Sequence, residues 1–211
     1  EKSYHEADRL LSSVINIQEA GHPSPVVAIK QYSESFLKTG RFDAEYYQPK
    51  YEAITYQLNN QDTVSTNCRM YDEIFIPRHD KVYSYIELAN VGQNGEISDV
   101  ERIIGDDLPT RARRVVSAGQ VIISSIEGSL QSCALIEDEH DGALCSTGFY
   151  VLDSDSINPE TLLVLFKSEP IQALMKQRCS GTILTAISKD ELLSMPLPKV
   201  DASCVYVNAR D

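Results

Sequence analysis

Three arginines close together, Arg111, Arg113 and Arg114, form the most distinctive basic cluster in the sequence. Guanidinium groups at this spacing can bridge phosphates or donate paired hydrogen bonds to the edges of guanine bases. Asp106 and Asp107 precede the cluster, so ion pairing on the protein surface is the alternative interpretation. The sequence predicts that the arginines lie in a loop ahead of a strand.

Hydroxyl and glycine residues at Ser180, Gly181 and Thr182 form a second candidate site. The backbone N–H groups and hydroxyls of such a loop can donate hydrogen bonds to phosphate oxygens. The simpler interpretation is that Gly181 ends a helix. Arg78 and Lys81, which flank a turn, are further candidates for contact with phosphate.

The turn Gln93-Asn94-Gly95 is a third candidate, because side-chain amides can read the edge of adenine. An Asn-Gly pair is also the most common signal of a β-hairpin turn. The hairpin is the simpler interpretation.

Motifs of the common enzyme sites are absent from the sequence. It contains no G-x-G-x-x-G after a strand and no phosphate-binding G-x-x-x-x-G-K-[ST], and Gly128-Ser129 lacks the glycine pattern of a nucleophile elbow. The four histidines are far apart, and none has a metal-binding neighbour at helical spacing. We therefore expect no catalytic residue, no bound metal and no cofactor.

The charge balance restricts the possible partners. The 31 acidic and 19 basic residues give the chain a formal net charge of −12. This argues against a general nucleic-acid binder, because affinity for DNA comes largely from neutralising phosphates. Any DNA-binding surface must be small, or partner chains must supply part of the affinity. The five cysteines show no C-x-x-C spacing and fit reduced intracellular thiols, and no apolar run approaches the roughly 20 residues that span a bilayer.

Apolar residues at helical spacing predict two helices in the first 60 residues. The first covers residues 3–17. The second begins at Asp43, which can cap it, or a few residues later, because Pro49 is tolerated only in or near a first turn. We expect the apolar face of the second helix to be buried against the following domain or a helical partner. The apolar face of the first helix consists of Ala7, Leu10, Leu11 and Val14. That of the second consists of Tyr47, Tyr51, Ile54 and Leu58.

A β-rich region follows, and the chain then returns to helices. Short runs rich in Ile, Val and Tyr between residues 71 and 152 are typical of strands, and turn signals separate them. Capping residues at Asn158 and Ser188 begin helices near the end. The sequence predicts an α+β protein, in which a helical arm precedes a curled antiparallel β-rich domain with short C-terminal helices.

Several short segments occur in an order that resembles one protein family. They are HEADRLLSSV at residues 5–14, RFDAEYYQPKYEA at 41–53, YIELANV at 85–91, GEI at 95–97, AGQVIIS at 118–124, CSTGFYVL at 145–152, SGT at 180–182, IS at 187–188 and MPLP at 195–198. In this order they resemble a target-recognition half of the specificity subunits of Type I restriction-modification systems. The resemblance covers residues 3–198.

The resemblance implies a DNA-reading subunit with no catalytic centre, in the cytoplasm of a bacterium or archaeon. Residues 1–60 would be a helical approach segment, 61–198 the DNA target-recognition domain and 199–211 a shortened tail. The implied partners are double-stranded DNA, methyltransferase subunits, restriction or translocase subunits, and a second recognition domain or a second copy of the chain, with no membrane. Because the long helix that this family has after the domain is missing, we expect a half subunit or a piece of a longer one.

The residues expected to contact DNA follow from their chemistry and not from the family, whose base-reading residues vary. They are Arg111, Arg113, Arg114, Ser180, Gly181, Thr182, Arg78 and Lys81.

Two alternative functions stay open at this point. The chain could be the recognition end of a fused restriction-methyltransferase, whose N-P-P-Y-type tetrapeptide is represented here only by Asn158-Pro159-Glu160. It could also be a protein–protein interaction domain that binds no DNA, an interpretation that the acidic balance favours.

Overall fold

The structure of the protein is a computed structural model that describes residues 28–58, 62–181 and 184–200. The helix predicted over residues 3–17, the candidate Thr182 and all but the start of the predicted tail lie outside the described residues. Within the described part, no helix is long and apolar enough to cross a membrane.

Helices and short strands alternate along the described chain. The helices are α1 (Phe36–Thr39), α2 (Pro49–Gln57), α3 (Val64–Asn67), α4 (Pro159–Lys167), α5 (Glu169–Arg178) and α6 (Lys189–Leu193). The strands are β1 (Asp62–Thr63), β2 (Arg69–Tyr71), β3 (Val82–Ile86), β4 (Glu101–Ile104), β5 (Ala112–Val115), β6 (Val121–Ser124), β7 (Cys133–Leu135), β8 (Leu144–Ser146), β9 (Phe149–Asp153), β10 (Cys179–Ser180), β11 (Ala186–Ile187) and β12 (Pro196–Leu197).

An antiparallel sheet in the order β2-β9-β6-β7, called here the inner sheet, lies at the centre of the fold. Its central strand β6 is buried along its whole length. Val121 and Ile123 pack into the core shared with the helices, and Ile122 packs into a second core on the opposite face. Because both faces are covered, this strand carries a continuous apolar run and not an alternating one.

A second four-stranded sheet, called here the outer sheet, has the order β4-β3-β8-β5. Ile86 and Cys145 of this sheet share the second core with the inner sheet. The chain crosses from one sheet to the other between β8 and β9. The α+β class predicted from the sequence is confirmed, with one difference in topology: β3 and β8 pair in parallel, with Tyr85 opposite Leu144. A long connection joins these two strands, which is what parallel pairing requires.

The helices pack on the face of the inner sheet that points away from the outer sheet. The predicted helices near the C-terminal end are confirmed: the Asn158 side chain accepts a hydrogen bond from the Thr161 N–H at 2.7 Å, and Ser188 caps α6 in the same way. Pro159 occupies the first turn of α4, where a missing N–H costs nothing.

Helix α2 begins at Pro49, which agrees with the later of the two predicted starts and not with Asp43. Its N-cap is Gln48 in an extended conformation, and Pro49 is in the first turn. The reason is that a residue before proline avoids helical torsion angles, whereas proline itself suits a first helical turn. Burial of the helix against the domain is confirmed, because Tyr51 and Leu58 are buried in the core shared with α4 and α5. The division of the chain near residue 60 stays a prediction.

The four cysteines of the described residues are free and buried. Burial raises the pKa of both Cys133 and Cys145 to about 12. Neither thiol is therefore a nucleophile at neutral pH, and both serve as small apolar side chains in the core.

Candidate nucleic-acid interface

The arginine cluster lies mainly on an edge strand, and the prediction that it forms a loop is wrong. Arg113 and Arg114 belong to β5, at one edge of the outer sheet, and the exposed Arg111 precedes this strand. Backbone bonds hold the segment on two sides: the Phe75 N–H donates to the Arg113 carbonyl at 2.7 Å, and the Thr147 N–H donates to the Arg111 carbonyl at 2.9 Å. The guanidinium groups therefore project from a fixed backbone.

The side chains of Arg111 and Arg114 have different surroundings. A register shift opposite β8 places Arg114 across from Cys145, on the side that faces the inner sheet. The half-buried Arg114 guanidinium lies 5.4 Å from the centre of the Tyr150 ring. Arg111 lies near Tyr85 instead; burial raises the pKa of Tyr85, and the positive charge of Arg111 opposes that shift. The cluster is therefore not one uniform patch.

The two aspartates expected to neutralise the arginines do not pair with them. The Asp106 carboxylate pairs with His79. Among the described residues, no carboxylate lies within ion-pairing distance of Arg111, Arg113 or Arg114. The interpretation of the cluster as a local ion-pair network is therefore not supported.

More than half of the basic side chains that form no ion pair with another described residue lie in or beside the outer sheet. Elsewhere in the described chain, many basic side chains form ion pairs: Lys30 with Glu52, Arg41 with Asp43, Lys50 with Glu45, Arg69 with Asp153 and Asp155, Arg178 with Glu191, and Lys189 with Asp72. The outer sheet, together with the residue before each of its strands β3 and β5, has five basic side chains that form no ion pair with any other described residue. We call this group the outer-sheet cations: Lys81, Arg102, Arg111, Arg113 and Arg114.

Sequence reasoning missed Arg102, an exposed residue of the edge strand β4. It stands opposite Ser84 of β3. No local signal distinguishes it from other surface arginines, since its lack of an acidic partner becomes visible only when the strands are paired. Of the two other candidates, Lys81 lies over the Tyr83 ring at 5.3 Å, whereas Arg78 forms an ion pair with Asp80 at 3.1 Å.

The Ser180–Gly181 segment forms a β-hairpin and does not end a helix, as the simpler interpretation had it. Helix α5 ends at Arg178, Cys179 is already extended, and Ser180 pairs with Ala186 of β11. Gly181 has a φ of +133°, and a Cβ atom built there would lie 2.3 Å from the Leu184 carbonyl oxygen. Only glycine fits this close approach of two backbone segments.

Replacing Gly181 with alanine is expected to destabilise the protein by about 1–3 kcal/mol, because the new methyl group meets backbone at a strained φ. Denaturant unfolding of the two proteins measures the difference. Gly128→Ala is the matched control, since a Cβ at Gly128 meets open space. Equal effects at the two glycines would contradict this account of the hairpin.

Arg41 joins the beginning of the described chain to this hairpin. Its guanidinium donates to the Cys179 carbonyl from two nitrogens, both at 3.2 Å, and pairs with Asp43. It also lies 4.4 Å from the centre of the Tyr46 ring, and the Gln177 side chain donates to the Tyr46 carbonyl at 2.7 Å. The RFDAEYY motif therefore packs against Gln177 and Cys179, just before the SGT motif in the chain, a contact between distant segments that the sequence did not reveal.

The Gln93-Asn94-Gly95 segment is a tight turn, as the simpler interpretation predicted. Gly95 has a φ of +88°, and the Gly92 N–H donates to the Glu96 carbonyl at 2.9 Å. The Lys167 ammonium donates to the Gln93 carbonyl at 2.9 Å and to the Gln131 carbonyl at 2.8 Å. The turn forms one wall of a cleft of about 760 Å³ beside α4 and α5.

Among the described residues, no group of three or more His, Cys, Asp or Glu side chains could hold a metal ion.

Comparison with known proteins identifies solved structures that share this fold. No protein-family model and no curated protein matches the chain. A solved structure of the HsdS subunit from Thermoanaerobacter tengcongensis is 27% identical over 65% of this chain, with a TM-score of 0.57. The chain has the fold of a Type I specificity subunit. A structure from work on the assembly and conformational transition of the type I R-M system matches with 26% identity over 63% of the chain, also with a TM-score of 0.57.

The specificity-subunit resemblance drawn from the sequence motifs is thus confirmed by the fold. The chain spans little more than a third of the two solved structures, 35% and 37% of their lengths.

Proposed function

We propose that this chain is a DNA-recognition part of a Type I specificity subunit, and that it directs methylation and cleavage by partner subunits to one sequence. One observation carries the proposal: in a specificity-subunit fold, five basic side chains in or beside one sheet have no carboxylate within ion-pairing distance among the described residues. The chain has more carboxylates than basic side chains, with a net charge of −12, so it contains enough of them to neutralise these cations. Basic side chains that lack such a partner fit a surface that binds a polyanion.

The outer-sheet cations divide into two proposed roles. Exposed Arg111 and Arg102 can reach base edges or phosphates from the two edges of the sheet, and Lys81 can contact the backbone as a point charge. Arg114, held on Tyr150, is assigned the role of keeping β5 and its neighbours in position and not that of reading bases. Arg113, half-buried in the edge strand, is assigned to the DNA-contacting group.

The hairpin of Ser180 and Gly181 is a proposed phosphate contact, because both residues are exposed. It is connected to the arginine strand through one side chain: the Tyr150 hydroxyl, beside Arg114, donates to the Ile187 carbonyl of β11 at 3.0 Å. Thr182 remains part of this proposal from the sequence alone, and Arg78 is a proposed contact that would first have to leave Asp80.

The proposed partners follow from the likeness to Type I specificity subunits. They are double-stranded DNA, methyltransferase subunits, restriction or translocase subunits, and a second recognition unit on the same chain or on another copy. The isolated chain is expected to bind DNA weakly, because its overall negative charge repels the phosphates and the outer-sheet cations offset only part of that repulsion. The proposed location is the cytoplasm, where the host DNA is found.

The purified chain is expected neither to methylate nor to cleave DNA when S-adenosylmethionine, magnesium and ATP are supplied. The reason is that no motif of a cofactor-binding loop or acid–base site occurs in the sequence. Incorporation of labelled methyl groups and gel analysis of plasmid DNA measure the two reactions. Turnover that persists through further purification would show that the chain carries its own catalytic site and would favour the fused-enzyme alternative.

A selection from random DNA tests the proposed function. The tagged chain is purified from its host together with its partner subunits, and the complex is incubated with a library of randomised duplexes. Enrichment of one defined half-site is the expected result. A complex that binds no DNA would support the protein–protein interaction alternative, and binding without enrichment would remove the specificity role.

A further inference from the structure

A stack of aromatic rings lies exposed at the start of the described chain. The rings of Phe36 and Phe42 are 4.4 Å apart and nearly parallel, and Tyr32 stacks on Phe36 at 5.8 Å. Phe42 is 70% exposed and the neighbouring Leu37 67%. We call this the aromatic surface: Ile29, Tyr32, Phe36, Leu37 and Phe42.

The aromatic surface is unlike the scattered apolar residues found on most proteins. Single exposed apolar side chains need no explanation, whereas contiguous apolar groups mark a contact site. Ile29, at the edge of this group in the chain, is 92% exposed. The buried core of the domain contains Tyr51 and Leu58 of α2 but none of the five residues of the aromatic surface. The surface therefore needs a partner that the domain core does not provide.

We propose that residues 3–17 of the same chain cover the aromatic surface as an amphipathic helix. The sequence predicts one apolar face there, formed by Ala7, Leu10, Leu11 and Val14. Those residues lie outside the described part of the chain. A helix of this length is marginally stable in water by itself and needs a surface on which to bury its apolar face.

Chain connectivity favours this occupant over others. The stretch between Val14 and Ile29 can extend to about 50 Å, so the predicted helix can reach every ring of the surface. Tethering also makes the contact intramolecular, with an effective concentration in the millimolar range for a short flexible linker, above that of any free partner.

The charged side chains beside the aromatic surface and on the predicted helix also favour this pairing. Lys38 lies beside the aromatic surface in α1 and has no ion-pair partner among the described residues. The predicted helix carries Glu6 and Asp8 next to its apolar face. The acidic side chains can therefore face Lys38 when the apolar residues meet the rings.

A single tryptophan tests the proposal, because the chain contains none of its own. Phe42→Trp places this reporter in the aromatic surface of the full chain. We expect blue-shifted emission and weak quenching by acrylamide, both unchanged on dilution. Adding Leu11→Glu should shift the emission to longer wavelength and raise the quenching constant several-fold, while circular dichroism shows that the domain remains folded.

Ser12→Glu is the matched control, since it adds the same charge at the next position, away from the predicted apolar face. It should leave the emission and quenching of the reporter tryptophan unchanged. Protection that disappears on dilution would show that a second copy covers the surface and would overturn the proposal. A reporter that is fully accessible in the parent protein, or equal effects of the two glutamates, would overturn it as well. None of these outcomes depends on whether the chain reads DNA.

Discussion

Replacing Arg111 with alanine is expected to weaken site-specific DNA binding by the assembled complex by about 1–3 kcal/mol, if the guanidinium reads a base. The expected loss follows from exposure and charge: Arg111 lies directly before an edge strand and has no carboxylate partner among the described residues. The preference for one base pair should relax as binding weakens. Binding titrations with the cognate duplex and with each single-base variant measure both effects.

Salt dependence separates base contacts from phosphate contacts. Removing a phosphate contact, the role proposed for Lys81, should weaken binding to all sequences alike and reduce the slope of log K against log salt by about 0.9. Arg69→Ala is the matched control, because Arg69 is exposed but engaged by Asp153 and Asp155 at the edge of the inner sheet. If Arg111→Ala and Arg69→Ala change binding equally, the outer sheet is not the DNA-binding surface.

Replacing Tyr51 with alanine is expected to lower the free energy of unfolding by about 3–5 kcal/mol, the range found for large buried aromatic side chains. Tyr51 is only 2% exposed and packs in the core with α4 and α5. Denaturant unfolding of the chain measures the loss. The result decides whether the segment before residue 60 is part of the folded domain or an arm attached to it.

Tyr56→Ala is the control from the same helix. Tyr56 is 86% exposed, so its removal should change stability by less than about 0.5 kcal/mol. A small effect of Tyr51→Ala, similar to that of Tyr56→Ala, would mean that α2 does not contribute to the domain core.

The elements that local chemistry determines were predictable from the sequence. Asn158 and Ser188 cap their helices through their own side chains, and Asn94-Gly95 forms a turn with its own backbone. Capping and turn formation involve residues only two or three positions apart, so one sequence contains the whole signal.

The arrangement of the candidate site was not predictable in the same way. The Arg113 carbonyl accepts its bond from Phe75, and the Arg41 guanidinium donates to the carbonyl of Cys179. Asp106 pairs with His79 and not with the arginines that follow it in the chain. These partners are far apart in sequence, so only the folded structure shows that β5 is a strand and that its arginines keep their charge unpaired.

Mapping of methylated adenines across the host genome, with and without the gene for this chain, is the most direct test of its proposed role in DNA recognition. The account predicts a two-part methylated sequence that disappears on deletion and returns when the intact gene is restored. Restoring a gene with Arg102→Ala, Arg111→Ala and Arg113→Ala should fail to return the same pattern, whereas restoring Arg69→Ala should succeed. A methylation pattern that is identical with and without the gene would contradict the account.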